Sequence, residues 1–577
     1  MKSKIFLCLF ISLLLTINVV KSDESCYLLK QSLMFYKAQR AGRLPDNDIP
    51  WRGNSVLTDK SAGSSLDSNG DGDLSKGYFD AGDGVKFHFP MAYSMTMLGW
   101  SYLEYSNNIE KCGLGTLYRE VLKWGTDFLI ASHTSDNVFV CQVGDGNVDH
   151  SVWQPPEDIN YVRQIYTIDS NNPGTDVAME AASALAAASL VFKTSNPTYS
   201  DLCLQHAKKL YTFAMTAPMK VNSQSNPFYI SSGYWDEVTW GSIWLYKATK
   251  NQTYMNNAAL YYTYGNVQYA NEFSWDDKGV GTSLLLYQLS SDSKYKTNLE
   301  NSFNNWLPGG GVKYTPGGLA WLREWGPCRY SLVMGFLQSV YSIKNGGNSK
   351  YNTFAMGQLS YVLGNNTKKQ SFVTGYGPNA PKNPHHRAAH HPTDKNINIP
   401  VNNTYQLLGG LVGGPKDNDE WTDDRTNYVT NEVALDYNVG LVGSLAAYAT
   451  GSDSSSSSTG STAPSTTSSQ TSATTSQSTT SSSTSQSTTS STTSKPTTSS
   501  TTSQSTTSST TSHSTTSSTT SKPTTTSSTT SPSSTTSREL GESESEGQLN
   551  YSISLFIGKA DLVLLFLLSI ISMVFNL

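Results

Sequence analysis

Two aspartates, Asp80 and Asp83, lie three residues apart in a short glycine-rich stretch. Carboxylates held this close resist joint ionisation, so each shifts the pKa of the other. A bare Asp-x-x-Asp is most often an ordinary turn, but here aromatic residues flank it at the end of a long loop, residues 60–90. Loops of that length inside a compact body are usually functional. We therefore expect acid–base chemistry at this turn.

Two further polar clusters lie near the other end of the same body. Residues 384–391 hold four histidines and Arg387, with no nearby cysteine and with poor spacing for zinc. A loop that orients a carboxylate or a sugar hydroxyl is the better interpretation. Residues 421–438 are acidic and include Glu432, although an isolated glutamate is ordinarily a helix cap or a solvated charge. Separated carboxylates together with many aromatic side chains favour a glycosidase.

The elements that position these clusters are predicted to be helices. Apolar residues at helical spacing predict helices over residues 35–39, 91–105, 117–130, 177–193, 202–215 and 351–363. Thr175 and Asp176 are the expected cap of the Ala-rich helix 177–193. Convincing alternating strands are scarce. The pattern predicts an all-α body, a barrel of helices whose functional face is built from loops.

Composition divides the chain into a body and several accessory segments. A basic start and a short apolar run predict a secretory signal peptide over residues 1–22, with a membrane anchor as the weaker alternative. The body spans residues 23–450. Residues 451–537 are almost entirely Ser and Thr, which predicts a disordered, O-glycosylated stalk. A polar acidic spacer, residues 538–560, follows.

The hydrophobic C-terminal tail, residues 561–577, comes after small residues and a polar spacer. That order predicts a signal for a GPI anchor, with a single membrane span as the alternative. The expected location is secreted and tethered at the cell surface, with the membrane involved only through this tail; a freely extracellular protein is the further alternative. Sites for N-glycosylation at Asn251, Asn365 and Asn402 suit a secreted body.

Charge and cysteine content restrict the function further. The net charge of −5 provides no basic excess, which argues against nucleic acid as a partner. Cys8 falls in the predicted signal peptide, and the remaining five cysteines match no zinc or redox motif. Because five is odd, we expect at least one free or intermolecular thiol, and buried apolar packing is the default interpretation. The sequence specifies neither the disulfide pairing nor the oligomeric state.

Several ordered motifs resemble glycoside hydrolase family 9, the endoglucanases. They are GRLPDNDIPWRGNS and GYFDAGDGVKFHFPM near the start, SFVTGYGPNAPKNPHHR at 371–387, and WTDDRTNYVTNEVALDYN at 421–438. The resemblance covers most of the body, residues 26–450. It implies an (α/α)6 barrel with an open cleft of long loops, and inverting hydrolysis of β-1,4-glucan chains such as cellulose. No cofactor is required for that chemistry.

The resemblance also implies roles for individual residues. Asp83 matches the general base that activates water, Asp80 helps to hold that water, and Glu432 matches the general acid. Asp423 and His385 match active-site positions that orient the acid. Positions that match the sugar-binding cleft are Arg387, His150, Trp153, Trp275, Trp325 and Arg329.

A structural calcium ion is the one metal that the resemblance implies. The matching positions are Ser232, Gly233, Asp236, Glu237 and Asp276, and hard oxygen ligands of this kind suit calcium. A second candidate, residues 67–73, resembles half of an EF-hand loop without its closing glutamate.

The chain departs from the family pattern at several positions. Pro155 stands where an arginine is expected, and Phe228 and Ser231 stand where some members have Tyr and Trp platforms. Val439 stands where a small or hydroxyl residue is usual. These departures bear on chain-length preference, while the reaction is unaffected. The alternative function is a cell-surface protein that binds glucan without turnover, which the presence of Asp80, Asp83 and Glu432 argues against.

Overall fold

The computed structural model describes residues 22–45, 49–61, 65–66, 71–216, 218–225, 228–377 and 379–449. The predicted stalk, spacer and hydrophobic tail lie outside the described residues, as does all but the last residue of the predicted signal peptide. These segments, and the disorder predicted for the stalk, stay predictions. Within the described ranges helices predominate, which confirms the all-α prediction.

Six helices form an inner ring. They are α2 (His88–Lys111), α5 (Thr175–Phe192), α7 (Trp235–Thr249), α9 (Gly279–Ser290), α11 (Pro327–Lys344) and α15 (Leu435–Tyr448). Each packs against the next, and α15 packs against α2 and closes the ring. Helices enclosed on all sides are apolar all round. In α5, for example, every residue except Leu190 is buried.

Six more helices surround this ring. They are α1 (Ser22–Ala38), α3 (Gly115–Ser132), α6 (Pro197–Thr216), α8 (Gln252–Tyr264), α10 (Ser293–Trp306) and α12 (Ser349–Val362). Five of them follow an inner helix directly and pack on it, while α1 packs on α15. This arrangement is the predicted (α/α)6 barrel. Because an outer helix returns the chain after each inner one, the inner helices all begin at the same end.

The Ala-rich helix α5 owes its composition to close packing. A Cβ atom at Gly99 of α2 would lie 2.9 Å from the Cβ of Ala187, so only small residues fit at this crossing. Among the described helices α5 is also the one that is long and apolar enough to cross a membrane, yet 94% of it is buried inside the protein. It is therefore a core helix of the barrel.

The loops carry the small amount of β-structure and several short helices. A four-stranded antiparallel sheet contains β1 (Lys86–Phe87), β2 (His133–Ser135), β3 (Val138–Val143) and β4 (Ile165–Asp169). A hairpin pairs β5 (Lys313–Tyr314) with β6 (Ala320–Trp321). The short helices are α4 (Gly146–His150), α13 (Arg387–His390) and α14 (Tyr428–Asn431), with 3-10 turns at Pro156–Asp158 and Val267–Tyr269.

The N-terminus of α5 differs from the sequence-based expectation. The predicted cap at Thr175 and Asp176 is wrong, since the cap of α5 is Gly174 and Thr175 is its first helical residue. The Thr175 hydroxyl instead accepts a hydrogen bond from the Lys220 backbone N–H, at 3.2 Å.

The five cysteines of the body form one disulfide, Cys26–Cys112, and leave three buried free thiols at Cys141, Cys203 and Cys328. The odd number of cysteines is thereby explained.

Candidate active site

The loops that lead into the six inner helices bring the predicted site residues together and add Tyr229 to them. Asp83 precedes α2, His150 precedes α5, and the remaining contributions are Tyr229 before α7, Trp275 before α9, Trp325 before α11 and Glu432 before α15. Because the inner helices begin at one end, these side chains meet over that end of the barrel. Helix N-termini carry partial positive charge, which favours the carboxylates gathered there.

The turn that carries Asp80 and Asp83 depends on two glycines. A Cβ at Gly82 would lie 1.9 Å from the carbonyl oxygen of His385, and the Gly82 carbonyl accepts a hydrogen bond from the Arg387 N–H at 3.0 Å. A Cβ at Gly84 would lie 2.6 Å from Oδ1 of Asp149. Glycine is therefore required for the turn to pack directly on the histidine loop and on Asp149.

The buried carboxylate of Asp83 is held in its ionised form. Its Oδ2 lies 3.3 Å from Nε2 of His150, and its Oδ1 accepts a hydrogen bond from the Ala81 N–H at 3.3 Å. Burial alone would raise the pKa of Asp83. The hydrogen bond and charge of His150, with the charge of Arg387, outweigh burial and lower this pKa.

Asp80 has the opposite electrostatic character. It is buried, its Oδ2 accepts a hydrogen bond from the Tyr229 hydroxyl, and its Oδ1 has no partner in the described structure. Burial and then the charge of Asp83 raise the pKa of Asp80 well above its usual value. One member of the aspartate pair is thus favoured as a carboxylate and the other as an acid, as the sequence spacing predicts.

Glu432 lies at the C-terminus of α14, next to the start of α15. Its backbone is fixed on both sides, because the His385 N–H donates to the Asn431 carbonyl and the Gly413 N–H donates to the Glu432 carbonyl, each at 2.9 Å. Burial raises the pKa of Glu432 to about 8, and the charges of Asp83 and Asp436 act in the same direction. The side chain therefore carries a proton at neutral pH, as a general acid must.

His385 and Asp423 brace the loops around the acid. Nδ1 of His385 lies 2.7 Å from the Arg425 carbonyl, and burial lowers the pKa of His385 to about 4, so the ring is neutral. The Asp423 carboxylate accepts hydrogen bonds from the Lys382 and Asn383 N–H groups at 2.9 and 3.0 Å. It thereby ties the histidine loop to the segment that carries the acid.

The predicted sugar-binding residues fall into two groups. Trp275, Trp153 and Trp325 lie at the cleft, and Trp325 is 48% exposed. The Trp275 ring packs edge-on against Tyr229, at 4.9 Å between centroids, and Nε1 of Trp153 donates to His390 at 2.7 Å.

The two predicted arginines are held by buried carboxylates. Nη1 of Arg387 donates to Asp149 at 2.6 Å, with its guanidinium 5.3 Å from the Trp153 ring centroid. Nη1 of Arg329 donates to Asp436 at 2.7 Å. Arg329 therefore lies in an ion pair beside Glu432, and this pairing was not expected from the sequence.

Three residues of the site were not singled out from the sequence. Asp149 accepts hydrogen bonds from the Gly84 N–H, the Tyr161 hydroxyl and Arg387, and Tyr229 donates to Asp80. Asp436, in the first turn of α15, pairs with Arg329. A signal existed for Asp436 in its place within the acidic motif 421–438, and for Asp149 in its position next to His150. Tyr229 lacked one, because its role depends on tertiary packing.

One group in the described part of the chain brings three metal-capable atoms within 4.8 Å of one another, and it is formed by Asp83, Asp149 and His150. Asp149 in this group is already paired with Arg387. We therefore interpret this group as the predicted base, Asp83, together with the two residues beside it.

The residues predicted to bind calcium lie elsewhere, at a surface cavity of about 420 Å³. Ser232, Gly233, Asp236 and Asp276 line it, and their oxygens are of the type that calcium prefers. The Glu237 carboxylate is instead engaged by Lys278, whose Nζ donates to it at 2.9 Å. Four of the five groups thus fit calcium by position and chemistry, and calcium binding stays a prediction. The second candidate, residues 67–73, lies partly outside the described residues.

Fold and site together define a class, a glycoside hydrolase barrel with a carboxylate-lined cleft. The family model for glycosyl hydrolase family 9 matches residues 26–445. The chain belongs to this family, which confirms the resemblance found in its motifs.

Relatives with known names extend the comparison. An endoglucanase of Dictyostelium discoideum is 56% identical over 453 residues, which are 77% of this chain and 63% of that protein. The chain thus matches less than two thirds of that relative's length. The endoglucanase of the termite Nasutitermes takasagoensis is 40% identical, with a TM-score of 0.69 over 74% of this chain and 98% of that one. The cellulase Cel9M of C. cellulolyticum, solved with cellobiose, is 36% identical, with a TM-score of 0.69 over 73% of this chain and 97% of that one.

Proposed function

We propose that this protein is an endoglucanase that hydrolyses internal β-1,4-glucosidic bonds of cellulose and related glucans with inversion of configuration. The observation that carries the proposal is the opposite tuning of two carboxyl groups at one cleft. The pKa of Asp83 is lowered and that of Glu432 is raised to about 8. A pair whose environments separate their pKa values has its base and acid roles assigned.

The mechanism follows from the groups at the cleft. The ionised Asp83 accepts a proton from a water molecule, which attacks the anomeric carbon of the sugar. Asp80 contributes its carboxyl group, oriented by Tyr229, to holding that water. Glu432 donates its proton to the leaving glycosidic oxygen from the other side of the bond. In an inverting site the two carboxyl groups are far enough apart to admit the water.

The cleft surface supports a sugar polymer as the substrate. Exposed rings at Phe228, Trp325 and Tyr428 offer faces on which sugar rings stack, while the partly exposed His150 offers a ring nitrogen to sugar hydroxyls. The endoglucanase names of the relatives and the cellobiose bound by Cel9M support the same substrate class.

The test compares the wild-type chain with Glu432→Gln on carboxymethylcellulose in a reducing-sugar assay. The variant keeps the shape of the side chain and loses the transferable proton, so activity is expected to disappear while the fold is kept. Early-time NMR of the product is expected to show the α-anomer. Normal activity of the variant would overturn the role of Glu432, and a β-anomeric product would overturn inversion.

We also propose that the protein is secreted and held at the cell surface by its C-terminal tail, with a GPI anchor as the favoured form. The Cys26–Cys112 disulfide supports export, because disulfides persist in oxidising compartments. Release from cells by a phosphatidylinositol-specific phospholipase tests the anchor. We further propose that calcium occupies the Asp236–Asp276 cavity and stabilises the loops before α7 and α9, which a calcium-dependent rise in melting temperature would support.

A further inference from the structure

Exposed aromatic side chains are few in the described residues, and half of them lie at the cleft. The six are Tyr27, Phe228, Tyr264, Tyr269, Trp325 and Tyr428. Phe228 packs against His150 at 4.6 Å between ring centroids, and Tyr428 packs against Trp325 at 5.4 Å, so three of the six belong to the cleft. Tyr264 and Tyr269, 66% and 72% exposed, do not. Exposed apolar side chains mark a binding site where they lie together.

Tyr269 lines a cavity, and Tyr264 contacts a tryptophan of the cavity wall. Tyr269 lines the cavity of about 420 Å³ described above, together with Trp235 and Asp276. The Tyr264 ring meets the Trp235 ring at 4.8 Å and 80°, and Tyr261 stacks on Trp235 at 5.4 Å and 18°. We call Trp235, Tyr264 and Tyr269 the aromatic rim. Tyr261 covers one face of its tryptophan, and its two tyrosines are exposed to solvent.

Polar groups in the cavity complement this rim. Asn266 lines it apart from the predicted calcium ligands, and its amide, like the hydroxyls of Tyr264 and Tyr269, can hydrogen-bond to a sugar hydroxyl. An aromatic face beside several such groups is the chemistry with which a protein recognises a sugar ring, apolar on its faces and polar at its edge.

Two separate segments of the chain run from the cleft to the cavity. Tyr229 contacts Asp80 in the cleft, and Ser232, three residues later, lines the cavity. Trp275 packs against Tyr229, and its neighbour Asp276 lines the cavity. Three residues of extended chain span about 10 Å at most. A polymer that lies in the cleft thus has the aromatic rim within its reach.

We propose that the aromatic rim is a second binding site for β-1,4-glucan, outside the catalytic cleft, that holds the enzyme on insoluble cellulose. This inference rests on the proposed function for the identity of the sugar. It assigns to the barrel itself a site that binds solid substrate. Hydrolysis of short soluble glucans would not need such a site.

The test measures depletion of the full-length chain from solution by amorphous and microcrystalline cellulose, at fixed calcium, in the Glu432→Gln background to prevent hydrolysis. The paired variant Tyr264→Ala/Tyr269→Ala is compared with Tyr27→Ala, which removes a tyrosine of similar exposure from α1. We expect the partition onto cellulose to fall by about tenfold or more for the pair, as two lost stacking contacts imply, and to stay unchanged for Tyr27→Ala. Tyr264→Phe/Tyr269→Phe, which keeps both rings, is expected to bind as the parent does.

Binding of the alanine pair within about twofold of the parent, an equal loss in Tyr27→Ala, or an equal loss in the phenylalanine pair would each overturn the proposal. The failure of the proposed function would look different. In that case the wild-type chain would release no reducing sugar from soluble glucan, whatever its binding to cellulose. Conversely, hydrolysis of soluble cellotetraose at the wild-type rate by the alanine pair is expected if the rim acts only on solid substrate.

Discussion

Nε2 of His150 lies 3.3 Å from Oδ2 of Asp83, and the two groups shift each other's pKa in opposite directions. Burial disfavours the charged form of His150, but the hydrogen bond and charge of Asp83 outweigh it and raise the pKa of the imidazole. The same contact lowers the pKa of Asp83. The pair therefore keeps the base ionised in a buried setting.

His150→Gln is expected to move the acidic limb of the pH–activity profile to higher pH. The base must be ionised, so activity is lost as pH falls through the pKa of Asp83. Without the positive charge of His150 that pKa rises, and the loss begins earlier. Profiles of kcat/KM on a soluble glucan measure the limb. An unchanged acidic limb in a folded variant would show that His150 does not set the pKa of the base.

Asp436→Asn is expected to move the alkaline limb to lower pH. Glu432 must be protonated, so activity is lost as pH rises through its pKa of about 8. The charge of Asp436 helps to raise that pKa, and its removal also leaves the charge of Arg329 unopposed beside Glu432. Both changes lower the pKa of the acid. Asp127→Asn, on the outer helix α3, serves as the control and is expected to leave the limb in place.

Gly82→Ala is expected to reduce kcat severely, because the new Cβ would lie 1.9 Å from a backbone oxygen of the histidine loop and would displace Asp80 and Asp83. Gly357→Ala is a matched control, since a Cβ at that position in α12 meets nothing within 4 Å. Alanine in an exposed helix interior is favoured over glycine by up to about 1 kcal/mol. The control should therefore melt slightly higher with full activity, and full activity of Gly82→Ala would contradict the close approach.

The disulfide is expected to stabilise the fold. Cys26–Cys112 connects α1 to the end of α2 and closes a long loop, with a sequence separation of 86 residues. Its removal in Cys26→Ser/Cys112→Ser is expected to cost about 2–5 kcal/mol of stability and to lower the melting temperature, with activity at room temperature retained. Reducing agent should lower the melting temperature of the wild type and leave that of the variant unchanged. Sensitivity of both proteins to reduction would point to another cause.

The parts of this protein that sequence predicted best are those specified by local pattern. Helical periodicity located α3, α5, α6 and α12 to within a few residues, except at Pro197, where α6 begins five residues before the predicted start. The motifs indicated the family, and the resemblance to that family implied the barrel. What sequence could not provide was the pairing of side chains from distant loops, such as Asp149 with Arg387, 238 residues apart.

The same limit applies to the two arginines and to Glu237. Each matched a family position by spacing, but its partner was fixed only when the barrel brought other helices beside it. Arg329 is bound by Asp436 across the α11–α15 contact, and Glu237 by Lys278 across the α7–α9 contact. A charged residue that is buried must find an opposite charge, but the sequence does not say which one.

Closure of the ring by α15 has a consequence for the order of events during synthesis. Asp83 emerges early from the ribosome, whereas Glu432 and α15 emerge after nearly the whole body has been made. Until α15 packs against α1, α2 and α11, the base has no acid opposite it. Under the proposed mechanism, the nascent chain should therefore remain inactive until its last barrel helix is in place, so that hydrolysis begins only with a completed barrel.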